Sequence, residues 1–195
     1  MQVKSANSPA KSEILWDFAH PVDQFELSEP RPSLVPPRVQ SISTWPIALQ
    51  PQRQHGPLAS GQASVAMALT HLTGQSWSCQ QVADVYGGNL LGALEEQTKH
   101  LRLSWNDIDF SPSAWAVIEK QLGRGRPVLM GLNGPLFSPT ADGHVVTLLG
   151  IQGELVHFAD PASGKVRCQP KYEFERAPGH PIGKFVLYAS KPRPR

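Results

Sequence analysis

The sequence predicts an α+β domain in which helices come first and antiparallel strands follow. Helical apolar spacing dominates residues 60–122, and short β-branched runs dominate from Pro127 onward. Nothing in the chain alternates strand with helix as a doubly wound sheet would. From Ser60 to Thr73, the residues Ala63, Ala66, Met67, Leu69 and Leu72 recur at helical intervals on more than one face. Such a helix is buried, and Gly74 stands where a left-handed C-terminal cap belongs. Ser78 is placed to cap a second helix carrying Val82, Ala83 and Val85, and a third runs from Leu91 to about Leu101. Ser111-Pro112 opens a fourth, with Trp115, Ile118 and Leu122 on one stripe and Gly123 at its end. Pro127 to Leu132 is a short apolar run, and His144 to Ile151 is a longer one rich in β-branched residues. Gln152-Gly153 is a hairpin signal leading into Leu155 to Phe158. Strands near Val166 and over Lys184 to Tyr188 complete the set, and no internal repeat is visible.

Length and composition narrow the function classes. The 195 residues divide into a proline-rich extension (1–40), one domain of ordinary size (41–190) and a short basic tail (191–195). In the extension, six prolines from Pro9 to Pro37 interrupt any helix, yet Ile14, Leu15, Trp16, Phe18 and Phe25 are too apolar for a solvated tail. One short segment packed on the domain is the simpler expectation, and an arm covering a cleft is the sharper one. The net charge of +2 comes without a Lys/Arg stripe, so nucleic acid is not an expected partner. The apolar run Val145 to Ile151 is too short to span a bilayer, and Met1 to Ala6 lack the apolar core of a secretory signal. A cytoplasmic protein, or one secreted without a signal peptide, is expected. Cys79 and Cys168 offer neither a disulfide framework nor metal-ligand spacing, so no metal or cofactor is expected. The stretch Ala159 to Lys165 lacks the first glycine and the final hydroxyl of a phosphate loop, which argues against a nucleotide site.

One constellation could carry acyl-transfer chemistry, which needs a nucleophile, a base, a group orienting the base, and oxyanion donors. Ser60 opens the buried helix, where exposed N–H groups favour developing negative charge. Gln54 lies upstream in a Gln-x5-Ser arrangement, His144 follows Gly143 at the head of the β-branched run, and Asp160 ends the next strand before Pro161. Each alone has an ordinary structural explanation. A loop Gln is usually solvated, a strand-edge His usually structural, and Asp-Pro an ordinary turn.

Together they resemble the papain-like cysteine peptidases, and most closely the C39-like branch, whose signature reads Gln-x5-Cys-Gly-Pro-Ala-Ser-x-Ala-Met. The segment Gln54 to Met67 matches it except at Ser60, where the family has cysteine, and Gln62, where it has proline. The resemblance covers roughly residues 45–190. It implies a papain-like fold with the nucleophile helix packed on an antiparallel sheet. It also implies a triad of Ser60, His144 and Asp160, with Gln54 in the oxyanion hole, acting on a peptide or protein. Serine at this position marks an engineered inactive form or a natural pseudo-peptidase, because a hydroxyl ionises far less readily than a thiol of pKa about 8.5. A peptidase-like hydrolase is therefore the first expectation, and an inactive peptide-binding or assembly module is the alternative. An amidase or transferase would use the same intermediate. Of the remaining candidates, Cys79 reads as core or cap, Cys168 as part of a late strand, His55 as exposed and His157 as structural. Trp77, Trp105 and Trp115 read as core. Phe137 is expected at the tip of the loop 133–142, as one wall of the cleft.

Overall fold

A computed structural model describes residues 47–137 and 143–191. The expectations for the extension 1–40, for the tail beyond Lys191 and for the loop 138–142 lie outside the described residues. Three helices lead: α1 (Ser60–Thr73), α2 (Cys79–Tyr86) and α3 (Leu90–Thr98), the last followed by a single 3-10 turn, Lys99–Leu101. Then come β1 (Ser104–Asp109), α4 (Ala114–Leu122), β2 (Val128–Leu132), β3 (His144–Gln152), β4 (Leu155–Asp160), β5 (Lys165–Pro170), α5 (Lys171–Arg176) and β6 (Phe185–Ser190).

Local chemistry sets most of these limits. α1 stops at Gly74, whose φ of 70° only glycine adopts without strain. α2 opens with a capping box in which Ser78 and Gln81 satisfy each other's backbone N–H groups. The hairpin between β3 and β4 turns at Gly153, φ 57°. Two elements were not expected from the sequence. β1 carries Asn106, Asp107 and Asp109, poor strand formers, and becomes a strand by pairing with β6 along its whole length. α5 is short and anchored by one buried residue, Phe174.

All five strand pairings are antiparallel, in the order β1-β6-β2-β3-β4-β5. Side chains alternate between two cores, as the pleat requires. Leu129, Val145, Phe185, Leu187 and Ala189 face Val65, Ala66 and Leu69 of α1, with Val82, Ala93, Leu94 and Trp105. On the other face Val128, Met130, Val146, Leu148 and Phe158 meet Trp115, Ile118 and Leu122 of α4 and Phe174 of α5.

Phe137 corrects an expectation. It is 1% exposed and packs against Phe158 and Phe174, with ring centroids 5.8 and 4.9 Å away, so it belongs to this second core and not to a loop tip. An aromatic ring gains more from that burial than from a solvated wall.

The sheet is tightest where β2 meets β6. Gly131 stands opposite Phe185, and a β-carbon there would lie 2.1 Å from the nearest atom of the phenyl ring. Gly131→Ala is expected to destabilise the chain by about 1–3 kcal/mol through overpacking, read as a lower urea midpoint at unchanged slope.

Candidate active site

Ser60, His144 and Asp160 come together where the β3–β4 ladder ends. That ladder runs from Gln152↔Leu155 to Thr147↔Ala159, leaving the backbone of Val145 without a strand partner on that side. α1 takes the place of the missing strand. The Val145 N–H donates to Ser60 Oγ at 3.1 Å, and Ser64 Oγ donates to the Val145 carbonyl at 2.9 Å. The N-terminal turn of the apolar helix is thereby fixed against the residue next to His144. Ala59, which precedes the helix, has no side-chain cap, so Ser60 is its first helical residue and not its cap.

The two other members sit on neighbouring strands. His144 Nε2 lies 2.8 Å from Asp160 Oδ1, and both side chains are 1% exposed. A buried carboxylate is costly unless its lone pairs are filled. Asp160 fills them: Oδ1 also accepts the Ala162 N–H at 3.0 Å, while Oδ2 accepts Ser163 Oγ at 2.9 Å and Arg167 Nη1 at 3.0 Å. Burial raises its pKa, but the hydrogen bonds from His144, Ser163, Arg167 and Ala162 outweigh it and bring the group down to about 2. Asp160 is an anion at any physiological pH.

Ser163 and Arg167 did not stand out in the sequence. Arg167 faces Phe158 across the β4–β5 ladder, lies 5.5 Å from that ring's centroid, and is diagonal to Asp160. An acidic and a basic residue on two successive expected strands were the signal available.

The sequence expected one ring nitrogen of His144 to face Ser60 and the other to meet Asp160. With Nε2 on the carboxylate, Nδ1 is the remaining nitrogen. Among the described residues the hydrogen bond of Ser60 Oγ is with the Val145 N–H, and none joins it to the ring. Gln54 is tied through its backbone N–H to the Pro161 carbonyl at 2.9 Å, which attaches its loop to the turn after Asp160. Its Nε2 donates to the Gly56 carbonyl at 2.6 Å, and its Oε1 is buried without a partner among the described residues. The proton of Nε2 not used on Gly56 is the donor an oxyanion would require.

A cleft of about 320 Å³ opens beside Ser60, lined by Leu58, Leu90, Val145, Ile182 and Phe185, and by Gly61, Gly88 and Gly143. His180, another residue the sequence did not single out, lines it too. The other candidates lie apart. His55 is exposed. Cys79 is buried at the start of α2, its Sγ 3.6 Å from the Ala59 carbonyl. Cys168 is exposed on β5, paired in register with His157, and burial pushes its thiol pKa up. Trp105 and Trp115 are buried and Trp77 is partly buried. Among the described residues no group of three His, Cys, Asp or Glu could hold a metal ion, and no helix is long and apolar enough to cross a membrane.

Solved structures of other proteins share this fold. The chain is similar to a double-glycine-motif protease from an AMS/PCAT transporter, solved in complex with a leader peptide. The identity is 21%, the TM-score 0.53, and the match covers 74% of this chain and 93% of that one. It is similar to a C39-like peptidase from Bacillus anthracis at 18% identity and TM-score 0.54, covering 74% and 96%. The peptidase domain of Streptococcus ComA, a bifunctional ABC transporter of a quorum-sensing pathway, matches at 17% identity and TM-score 0.51, covering 73% and 98%. A search of curated proteins finds no match. The family model described as the Peptidase_C39 like family matches residues 46–177, and the chain belongs to that family.

Proposed function

We propose that the chain is a peptidase-type hydrolase that holds a peptide in the cleft beside Ser60 and cleaves it slowly. In this reading Ser60 attacks, His144 takes its proton, Asp160 orients the ring, and Gln54 Nε2 with the helix N-terminus receives the oxyanion. The observation that carries the reading is the buried His144–Asp160 pair. Four donors hold the carboxylate ionised, an arrangement costly to retain for packing alone. A peptide ligand is supported by the structural relative solved with a leader peptide. Oxygen in place of sulfur gives no resting ion pair with the imidazole, so proton removal has to accompany attack and turnover is expected to be slow.

An inactive peptide-holding module is the second reading, favoured by the hydrogen bond that Ser60 Oγ accepts from Val145. A hydroxyl suits that structural role better than a thiol, whose sulfur is a weak acceptor. A fluorophosphonate probe separates the two. The hydrolase reading expects one adduct, mapped by mass spectrometry to Ser60 and at least about 100-fold weaker after His144→Ala, in the range of a general-base contribution. Labelling equal to that of surface serines would leave only the binding reading.

A further inference from the structure

The segment that carries Gln54 is neither helix nor strand, so its backbone groups find their partners one by one. Its burial alternates. Gln52 and Gln54 are half-buried while Arg53 and His55 are exposed, the period of an extended chain with one face inward. On one side it meets the turn after Asp160. The Gln54 N–H donates to the Pro161 carbonyl at 2.9 Å, and a β-carbon at Gly164 would come 3.0 Å from the Arg53 Cβ. On the other side Gln52 ties it to the helices. The Gln52 N–H donates to Met67 Sδ of α1 at 3.2 Å, its Oε1 accepts the Cys79 N–H at 3.2 Å, and its Nε2 donates to the Trp77 carbonyl at 2.6 Å.

The two side-chain bonds straddle Ser78, the cap of α2. A helix start leaves its first N–H groups unpaired; here Ser78 Oγ takes that of Gln81, and Gln52 takes that of Cys79. An amide bonded through both its oxygen and its nitrogen has one orientation, and the backbone behind it is fixed with it. Cys79 also gives its thiol to the Ala59 carbonyl at 3.6 Å, so the first residue of α2 touches both flanks of the loop from Gln54 to Ser60. Inside that loop the Gly56 carbonyl accepts Gln54 Nε2 at 2.6 Å and the Ala59 N–H at 3.2 Å. The Ser60 end has its own anchor in the Val145 N–H. The Gln54 end leans on Gln52 and Pro161.

We propose that Gln52 is a positioning residue: by docking its segment on the start of α2, it sets where Gln54 Nε2 stands relative to Ser60. The inference rests on the reading that Gln54 receives the oxyanion there. Such a donor works only when it is aimed before the charge forms, and an error of about 1 Å can cost roughly 100-fold. Gln52 acts through Gln54, so its effect vanishes once the Gln54 amide is gone. A residue that only capped α2 would matter equally with or without that amide.

Rates of fluorophosphonate labelling at Ser60 in the full chain, for Gln52→Met, Gln54→Ala and the double variant, form the cycle that tests this. Gln52→Met keeps the side-chain length and removes both bonds, and labelling should slow at least about tenfold. Gln54→Ala should slow it about 100-fold, the scale of one oxyanion donor. The double variant should match Gln54→Ala within about twofold. Should Gln52→Met not fold, Gln52→Glu carries the same comparison, since it keeps an acceptor at a helix start where negative charge is favoured. No effect of the Gln52 variant alone, or its full effect repeated on Gln54→Ala, would overturn the role of Gln52 and leave hydrolysis standing. If Gln54→Ala alone changes nothing, or the unmodified chain is not labelled at Ser60, the reading beneath it falls as well.

Discussion

Ser60→Cys is expected to create a thiol that iodoacetamide alkylates at neutral pH at least about tenfold faster than Cys168, with Cys79 slower still. The new thiol would open α1, where uncapped N–H groups and the helix dipole stabilise a thiolate. It would also lie beside the strand that carries His144, at the N–H of Val145, the next residue. Cys79 is buried, and burial holds the exposed Cys168 thiol up. His144→Ala in the Ser60→Cys background should bring the rate back toward that of Cys168, because the imidazole partner is gone. Mass mapping of the three alkylated peptides reads the result. Equal labelling, indifferent to His144, would mean that the site has lost the electrostatics of a peptidase.

Asp160→Ala is expected to cost about 3–5 kcal/mol of folding stability, the usual effect of removing one partner from a buried charged group. It would leave the ring nitrogen of His144, the Arg167 guanidinium, the Ser163 hydroxyl and the Ala162 N–H without their acceptor. The same carboxylate sets an acid dependence. Its folded pKa of about 2 lies below the ordinary 3.8, so its contribution is fully present above pH 4. As pH falls from about 4 to about 2 that contribution, on the order of 2 kcal/mol, is lost. Urea midpoints at pH 5 and pH 2.5, with Asp160→Asn for comparison, check the sign: the variant should lose less stability between the two than the unmodified chain.

The long, strongly periodic elements could be read from the chain. α1 begins at Ser60 and ends before Gly74 as its spacing implied, and the β3–β4 hairpin lies where Gly153 placed it. What escaped the sequence depends on tertiary contact. β1 is a strand because β6 offers it a ladder, against the preference of Asp107 and Asp109. Phe137 leaves its loop for the core because Phe158 and Phe174 form an aromatic pocket that no local pattern announces. The site divides in the same way. Gln54, Ser60, His144 and Asp160 were marked by motif and order. Arg167 reaches Asp160 only through strand register, and His180 reaches the cleft only because Gly143 leaves room for its ring.

The most direct test of the account is to incubate the chain with a diverse library of decapeptides and read cleavage products by mass spectrometry, beside Ser60→Ala and His144→Ala. The account predicts slow cleavage at defined bonds by the unmodified chain. Ser60→Ala and His144→Ala should each lower it by at least about 100-fold, the scale of losing a nucleophile or its base. No cleavage above the Ser60→Ala background, with library peptides still bound, would contradict hydrolysis and leave a peptide-holding protein on a peptidase scaffold.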